Sequence, residues 1–287
     1  MSRVHKPHRW QWLWLIPAAL LVWWPLWFLF MGALMSQEEL RLTIGPALGL
    51  GTGYTVWHLL PDWPTLEPLL TLLLDTPQFF VMFWNSIDQS VAQVAGNLLV
   101  GAPAAWAISR LRFRGRSMVR GLYIVLMLLP FQVTMVPSYL VLRQFGLLDT
   151  PWAIILPGIF STFPVFIMER GFDTIPREVL ESASIDGANQ WQRFWRIGIP
   201  LGIPGLISAL TLGFLDAWNA IEQPMTFLES PQYWPLSLFF TDPANLDTKQ
   251  LGLAMAASLW MLLPSILVFR FGQTYLEAGL TKGAVKG

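Results

Sequence analysis

Residues Glu178 to Pro204 read EVLESASIDGANQWQRFWRIGIPLGIP, a polar segment set into an otherwise apolar chain. The spacing predicts a short helix over 178–185, a turn at Asp186-Gly187-Ala188 and a second amphipathic segment over 190–197. Glycine at 187 suits the turn because it takes positive φ without a steric penalty. Pro200 and Pro204 stand near the start of the apolar run that follows, where a helix tolerates proline best. A polar element of this kind on a greasy chain is suited to being gripped by another protein.

The rest of the composition sets the solvent. The chain has 287 residues, of which 54% are hydrophobic and 13% charged, with a mean hydropathy of +0.49. Soluble domains carry about 25% charged residues, so a bilayer solvates this chain better than water does. Lys+Arg and Asp+Glu both number 18. That balance argues against nucleic-acid binding, which needs an excess of basic side chains. The absence of cysteine excludes disulfides, thiolate metal sites and cysteine nucleophiles. His5, His8 and His58 do not cluster with carboxylates at ligand spacing, so no metal site and no cofactor are expected.

About 20 apolar residues cross the hydrocarbon core. Stretches near 11–34, 86–108, 119–141, 151–169, 201–221 and 251–271 meet that length. The expected fold is an all-α polytopic membrane bundle of six transmembrane helices. The first apolar run is too long for a cleaved signal peptide. Between Ser36 and Phe83 the chain is mixed and rich in Gly and Pro, which predicts short interfacial helices, with Trp57, Trp63 and Trp84 at headgroup depth. Of the 18 basic residues, all but Arg41, Arg143 and Lys249 fall on one side of this arrangement. Arg3, Lys6 and Arg9 precede the first span, and Arg110, Arg112, Arg114, Arg116 and Arg120 fill one loop. By the positive-inside rule both termini and the 178–204 segment are cytoplasmic. The five clustered arginines are read as a topology signal that need bind nothing.

Polar residues inside the spans carry the functional question. Ser86, Gln89, Ser90, Gln93 and Asn97 recur at offsets of 3, 4, 7 and 11 and share one helical stripe. Either they are interhelical hydrogen-bond glue or they wall a hydrophilic passage. Asp216 stands about 15 residues past Leu201, or roughly 22 Å along the helix, in the outer half of the bilayer. A carboxylate at that depth is costly, and both a pathway role and a structural role remain open. There is no G-x-x-x-x-G-K-[ST] phosphate loop, no G-x-S-x-G elbow and no H-E-x-x-H. The chain is therefore read as a non-enzyme, and ATP hydrolysis, if it drives the process, resides on another polypeptide.

The opening segment resembles the EAA loop of ABC importer permeases: Glu-Ala-Ala, three residues, Gly, nine residues, Ile-x-Leu-Pro. Here the pattern is Glu181-Ser182-Ala183, Gly187 and Ile197-Gly198-Ile199-Pro200, with Ser182 and Ile199 as mild departures. Further stretches are similar to the sugar-importer branch, the maltose-transporter-type six-helix subunit. They include Ala104-Ala105-Trp106-Ala107, Val136-Pro137-Ser138-Tyr139-Leu140, Gly146-Leu147-Leu148-Asp149-Thr150 and Trp218-Asn219.

The resemblance implies a multi-pass protein of the bacterial inner membrane that passes a sugar, polyol or glycerol-phosphate solute. It divides into an N-terminal helix with its periplasmic segment, 1–84, and a core permease domain, 85–287, whose coupling loop spans 171–200. Implied partners are a second homologous permease, two ATPase subunits, a periplasmic solute-binding protein and membrane lipid. The coupling residues carried over are Glu181, Ser182, Ala183, Asp186, Gly187, Ala188 and Pro200, with Phe194 or Trp195 filling a hydrophobic cleft on the ATPase. The translocation path is expected along Gln89, Gln93, Asn97, Asp216, Trp218 and Asn219. Alternatives are a permease for a non-sugar solute and a self-sufficient secondary transporter; the single large cytoplasmic loop speaks against the latter.

Overall fold

The computed structural model describes residues 9–48, 54–56, 58–239 and 251–284. His5, His8, Arg3, Lys6, Trp57, Lys249 and Lys286 lie outside these residues. Among the described residues every regular element is helical. The chain falls into two compact units, Met1–Phe80 with Phe239–Leu262, and Val81–Leu238 with Leu263–Gly287.

In the first unit, α1 (Arg9–Gly32) is apolar around its circumference, and from Leu13 to Trp27 every residue is exposed, with burial only at its end, Met31 and Gly32. That surface is suited to lipid. Short elements follow: α2 (Gln37–Thr43), a 3-10 turn (Gly45–Leu48), α3 (Glu67–Leu70) and a π turn (Thr71–Asp75). The Ser36 hydroxyl caps α2 by accepting from the Glu39 N–H at 3.3 Å. Met31, Met35 and Leu40 form a small core with Ile44 and Leu251. Trp63 is exposed.

The second unit holds most of α4 (Pro77–Arg110), which begins earlier than the span expected at 86–108. After it come α5 (Arg116–Leu128) and α6 (Phe131–Gln144), bent by 103° at the break between them. This corrects the expected continuous span over 119–141. The residue before a proline is driven out of the helical region, and Leu129 is accordingly extended, with φ −72° and ψ 124°, ahead of Pro130. Next are α7 (Trp152–Ile159) and α8 (Thr162–Asp173), interrupted at Phe160 and Ser161. The coupling region supplies α9 (Arg177–Ile185), α10 (Gln190–Arg193) and a π turn (Phe194–Gly198), which runs directly into α11 (Ile199–Trp218). Then come α12 (Glu222–Phe227) and α13 (Leu251–Ala284), whose later part belongs to this unit. Among the described residues, five helices are long and apolar enough to cross a membrane, or six if the bent α5–α6 pair is one span.

The helices α8 and α11 cross in direct backbone contact. A Cβ on Gly171 would lie 2.6 Å from the Gly205 Cα, so the two backbones touch and no side chain fits between them. In a bilayer, where apolar surface gains little from leaving lipid, such close packing of small residues supplies the association. Around the crossing sits the core: Trp106, Met168, Phe172, Phe194, Leu206 and Ala209.

Candidate functional site

The 178–204 segment folds as its sequence directs. α9 contains no buried residue, and Glu181, Ser182 and Asp186 are exposed while Ala183 and Ala188 are half-buried. The helix stops where Gly187 turns to φ +82°. There the Ala188 N–H reaches back to the Ala183 carbonyl at 2.9 Å, a glycine-terminated C-cap. Asn189 then starts α10 with a reciprocal pair. Its side chain accepts from the Gln192 N–H at 2.8 Å, and the Gln192 side chain accepts from the Asn189 N–H at 2.9 Å. The N-x-x-Q spacing of this capping box is written in the sequence as Asn189 and Gln192.

Phe194 requires a correction. Its ring is 3% exposed and packs 5.8 Å from Trp106 and 6.3 Å from Phe172, so it fills the protein's own core and is not available for a cleft on a partner. Trp195 and Trp191 are exposed beside it. Pro200 is exposed in the first turn of α11.

The clustered arginines make contacts that a topology signal alone does not require. Arg110 donates to the Phe172 carbonyl and, at 2.6 Å, to the Ile175 carbonyl, caps for the end of α8. Arg116 donates to the Ile108 carbonyl at 2.6 Å, near the end of α4. Arg120 forms an ion pair with Glu169, which is 3% exposed. Glu169 escaped the sequence reading because it sits at the margin of an apolar run and looks like the start of a loop.

The polar stripe of α4 is buried along its length. Asn97 donates to the carbonyls of Ile159 and Ser161 at 3.0 and 3.1 Å, groups freed by the break between α7 and α8. Gln89 donates to the Tyr233 carbonyl at 2.9 Å, and the Ser86 hydroxyl accepts from the Leu236 N–H at 2.7 Å. Asn85, just outside the stripe, donates to the carbonyls of Gln232 and Trp234. These bonds lash the loop after α12 to α4.

A cavity of about 1150 Å³ lies within the second unit, and Gln93, Asn97, Asp216, Asn219 and Glu222 are among its walls. Among the described residues, no Lys or Arg lines it. Asp216 has no hydrogen bond or ion pair among the described residues, and its side chain is open to this space. Asn219 donates to the Leu215 carbonyl at 2.7 Å, and Glu222 accepts from Gln132 at 2.7 Å. Neither Gln89 nor Trp218 reaches the cavity. Trp218 is 1% exposed and stacks on Phe214 at 5.7 Å.

Asp149, named above only as part of a family-like stretch, joins the helix breaks outside the spans. It adopts φ +56° and accepts from the Glu229 and Ser230 N–H groups at 2.9 and 2.7 Å and from the Ser230 hydroxyl. The Ser230 bonds, with that from Glu229, hold its carboxyl below the usual carboxylate range. In the first unit, His58 comes closer to carboxylates than the sequence reading allowed. Its Nδ1 is 3.7 Å from Asp62, at i+4, and Glu39 accepts from the Asp62 N–H at 2.8 Å. The trio is solvent-accessible and carries no reading as a metal centre by itself.

Comparison with known proteins agrees with this architecture. The sequence model of the family described as "Binding-protein-dependent transport system inner membrane component" matches residues 97–282. The chain is 33% identical over 234 residues to the inner membrane ABC transporter permease protein YcjP of Escherichia coli, covering 80% of this chain and 83% of that one. It is 28% identical over 227 residues to the arabinooligosaccharides transport system permease protein AraQ of Halalkalibacterium halodurans, covering 79% and 81%. Its fold is similar to a chain in the crystal structure of a bacterial ABC transporter involved in the import of the acidic polysaccharide alginate. The TM-score there is 0.73 at 25% identity, over 92% of this chain and 94% of that one.

Proposed function

Because the chain belongs to the family of binding-protein-dependent transport system inner membrane components, we propose that it forms half of the translocation path of an ATP-driven importer for a neutral carbohydrate. It is a multi-pass inner-membrane permease and not itself an ATPase. A second permease chain completes the path, two ATPase subunits drive it, and a periplasmic binding protein delivers the solute.

The observation that carries the coupling role is the exposure of α9 and its turn at Gly187, followed by α10 and the π turn, which run directly into α11 through the buried Phe194. An exposed polar helix whose exit is anchored in the core transmits a push from a docked subunit into the spans. Glu181, Ser182, Ala183, Asp186, Gly187, Ala188 and Trp195 present the docking face in this reading, while Phe194 and Pro200 tie it to α11.

The cavity argues for the chemistry of the solute. Among the described residues its ionisable walls are the carboxylates Asp216 and Glu222, with no cation beside them to neutralise an anion. A neutral polyol presents hydroxyl donors that carboxylate and amide oxygens accept, whereas a glycerol phosphate would meet repulsion. The AraQ relative's name, an arabinooligosaccharide system, fits the same class. Gln93, Asn97, Asp216 and Asn219 form the solute-facing wall; Gln89 and Trp218 support it from behind.

The test is purification of the tagged chain from its native membrane, followed by assay of ATPase activity and of sugar uptake into proteoliposomes. Retention of an ATPase and uptake that requires ATP are expected. Uptake driven by an ion gradient with no ATPase retained would overturn the reading in favour of a secondary transporter.

A further inference from the structure

A second cavity, of about 970 Å³, lies in the second unit between the end of α4, the start of α5 and the α8–α9 junction. Arg110, Arg112, Arg116, Arg120, Arg177 and Arg193 line it. The carboxylates in its wall are Asp173, Glu178 and Glu181. Arg120 already faces Glu169 and Asp173. Six guanidinium groups therefore share Asp173, Glu178 and Glu181 in the wall and Glu169 beside it, with Asp173 acting on both Arg110 and Arg120, which leaves an excess of positive charge. Arg110 and Arg116 donate to backbone carbonyls, which bear no net charge.

Two donors in this wall are buried without a partner among the described residues: Nε of Arg193 and Nε1 of Trp106. Trp106 is 4% exposed. The benzo edge of its indole, Cε3, Cζ3 and Cη2, lies against Gly198; the N–H is on the opposite edge of the ring. Buried donors are normally satisfied, because each one left unpaired forfeits its hydrogen bond to water. Arg112 and Arg177 also make no side-chain hydrogen bond or ion pair among the described residues.

We propose that this cavity binds a phosphate-bearing anion, supplied by a phospholipid headgroup or by a soluble phosphate, beside the coupling helix. The planar guanidinium fork matches phosphate oxygens two at a time, and convergent arginines with unpaired donors supply that chemistry. The setting fits a headgroup: Trp191 is exposed nearby on α10, an amphipathic ring of the kind that settles at headgroup level. An anion held here would bridge Arg177 on α9 to the end of α4 and so stiffen the coupling element. This goes beyond the transport reading and does not depend on which solute is carried.

The full chain, purified with whatever subunits it retains and stripped of lipid in neutral detergent, would be titrated with phosphatidylglycerol and phosphatidylcholine by native mass spectrometry. Inorganic phosphate would be titrated by calorimetry. Saturable phosphatidylglycerol binding is expected, weakened about fivefold or more by Arg177→Gln and by Arg193→Gln, retained in Arg177→Lys and unchanged in Arg143→Gln. Arg177 is exposed and unpaired, so its substitution leaves the fold intact, which a thermal melt checks. Arginine-dependent binding of inorganic phosphate without a lipid preference supports the site and assigns it to a soluble anion. Equal binding of both lipids with no phosphate binding, or glutamine variants that bind like the parent, overturns it.

Discussion

The ring of Phe194 lies 5.8 Å from that of Trp106, tilted by 54°, and this contact ties the exit of the coupling loop to α4. Phe172 of α8 closes the cluster against both rings. Phe194→Ala removes the shared ring and should cost about 3–5 kcal/mol of stability. The transporter should also lose coupling, hydrolysing ATP without moving solute. Trp195→Ala, at an exposed neighbour, should leave the melting temperature unchanged and weaken retention of the ATPase. Measuring melting temperature and ATPase-to-uptake ratio in both variants checks the division of labour. Equal melting temperatures would show that Phe194 is not an anchor.

At the tip of the same element, Gly187 holds φ +82°. Proline is locked near φ −65°, so Gly187→Pro destroys the turn that ends α9. Glu181→Lys reverses a charge on the exposed face. Each should abolish uptake while the chain still inserts in the membrane, and each should shed the ATPase during purification. Normal uptake with normal ATPase retention in both variants would remove the coupling role from this loop.

The parts of this picture that were legible in the sequence are those set by local chemistry. Gly187 announces its turn, because only a residue without Cβ takes that conformation cheaply. Pro130 announced a disturbed helix, though periodicity gave no sign that α5 and α6 would diverge by 103°. The stripe on α4 was legible as a stripe, but which oxygens it would meet was not. The partners of Asn97 and Gln89 are backbone carbonyls 62 and 144 residues away in the chain. Phe194 and Trp195 are adjacent, similar and amphipathically equivalent on paper, and only the position of Trp106 decides which ring is inside. Asp216 was visible as a carboxylate in an apolar run, whereas the space it opens onto is built from residues spread between Gln93 and Phe227.

Gly171 and Gly205 place two backbones in contact. Gly171→Val should therefore separate α8 from α11 and lower the melting temperature in detergent by several degrees, since overpacking costs about 1–3 kcal/mol or more. Gly121→Ala serves as the control. A Cβ there meets nothing within 4 Å, and alanine is the better helix former. A Gly171→Val protein as stable as the parent would mean the crossing is looser than its geometry.

Asp149 supplies an acid-sensitive contact between the loop before α7 and the segment after α12. Its folded carboxyl is held below the usual range by the Ser230 and Glu229 hydrogen bonds. A depressed folded pKa contributes stability that is present above the unfolded value, near 3.9, and is lost as pH falls through the folded value. The parent should thus lose more stability between neutral pH and pH 3 than Asp149→Asn, which lacks the titrating group and still tolerates positive φ. Parallel melting curves for the two proteins across that range would show that the contact contributes nothing.

Asp216 is where structure and chemistry leave the sharpest choice. Its carboxylate opens onto the cavity and meets no Lys or Arg there among the described residues. A structural carboxylate in a bilayer is ordinarily paired with a cation or fully hydrogen-bonded, and Asp216 has neither arrangement among the described residues. What remains for it is water or the hydroxyls of a passing solute. Asp216→Asn keeps one acceptor oxygen and should weaken uptake on the order of tenfold, the equivalent of about 1.4 kcal/mol in the rate-limiting step. Asp216→Leu removes both acceptors and should do worse, with assembly and ATPase retention intact. Uptake measured over a range of sugar concentrations separates weaker solute binding from slower turnover. If both variants carry sugar normally and Asp216→Leu loses only thermal stability, the residue is structural and the solute-contacting wall belongs to the partner permease.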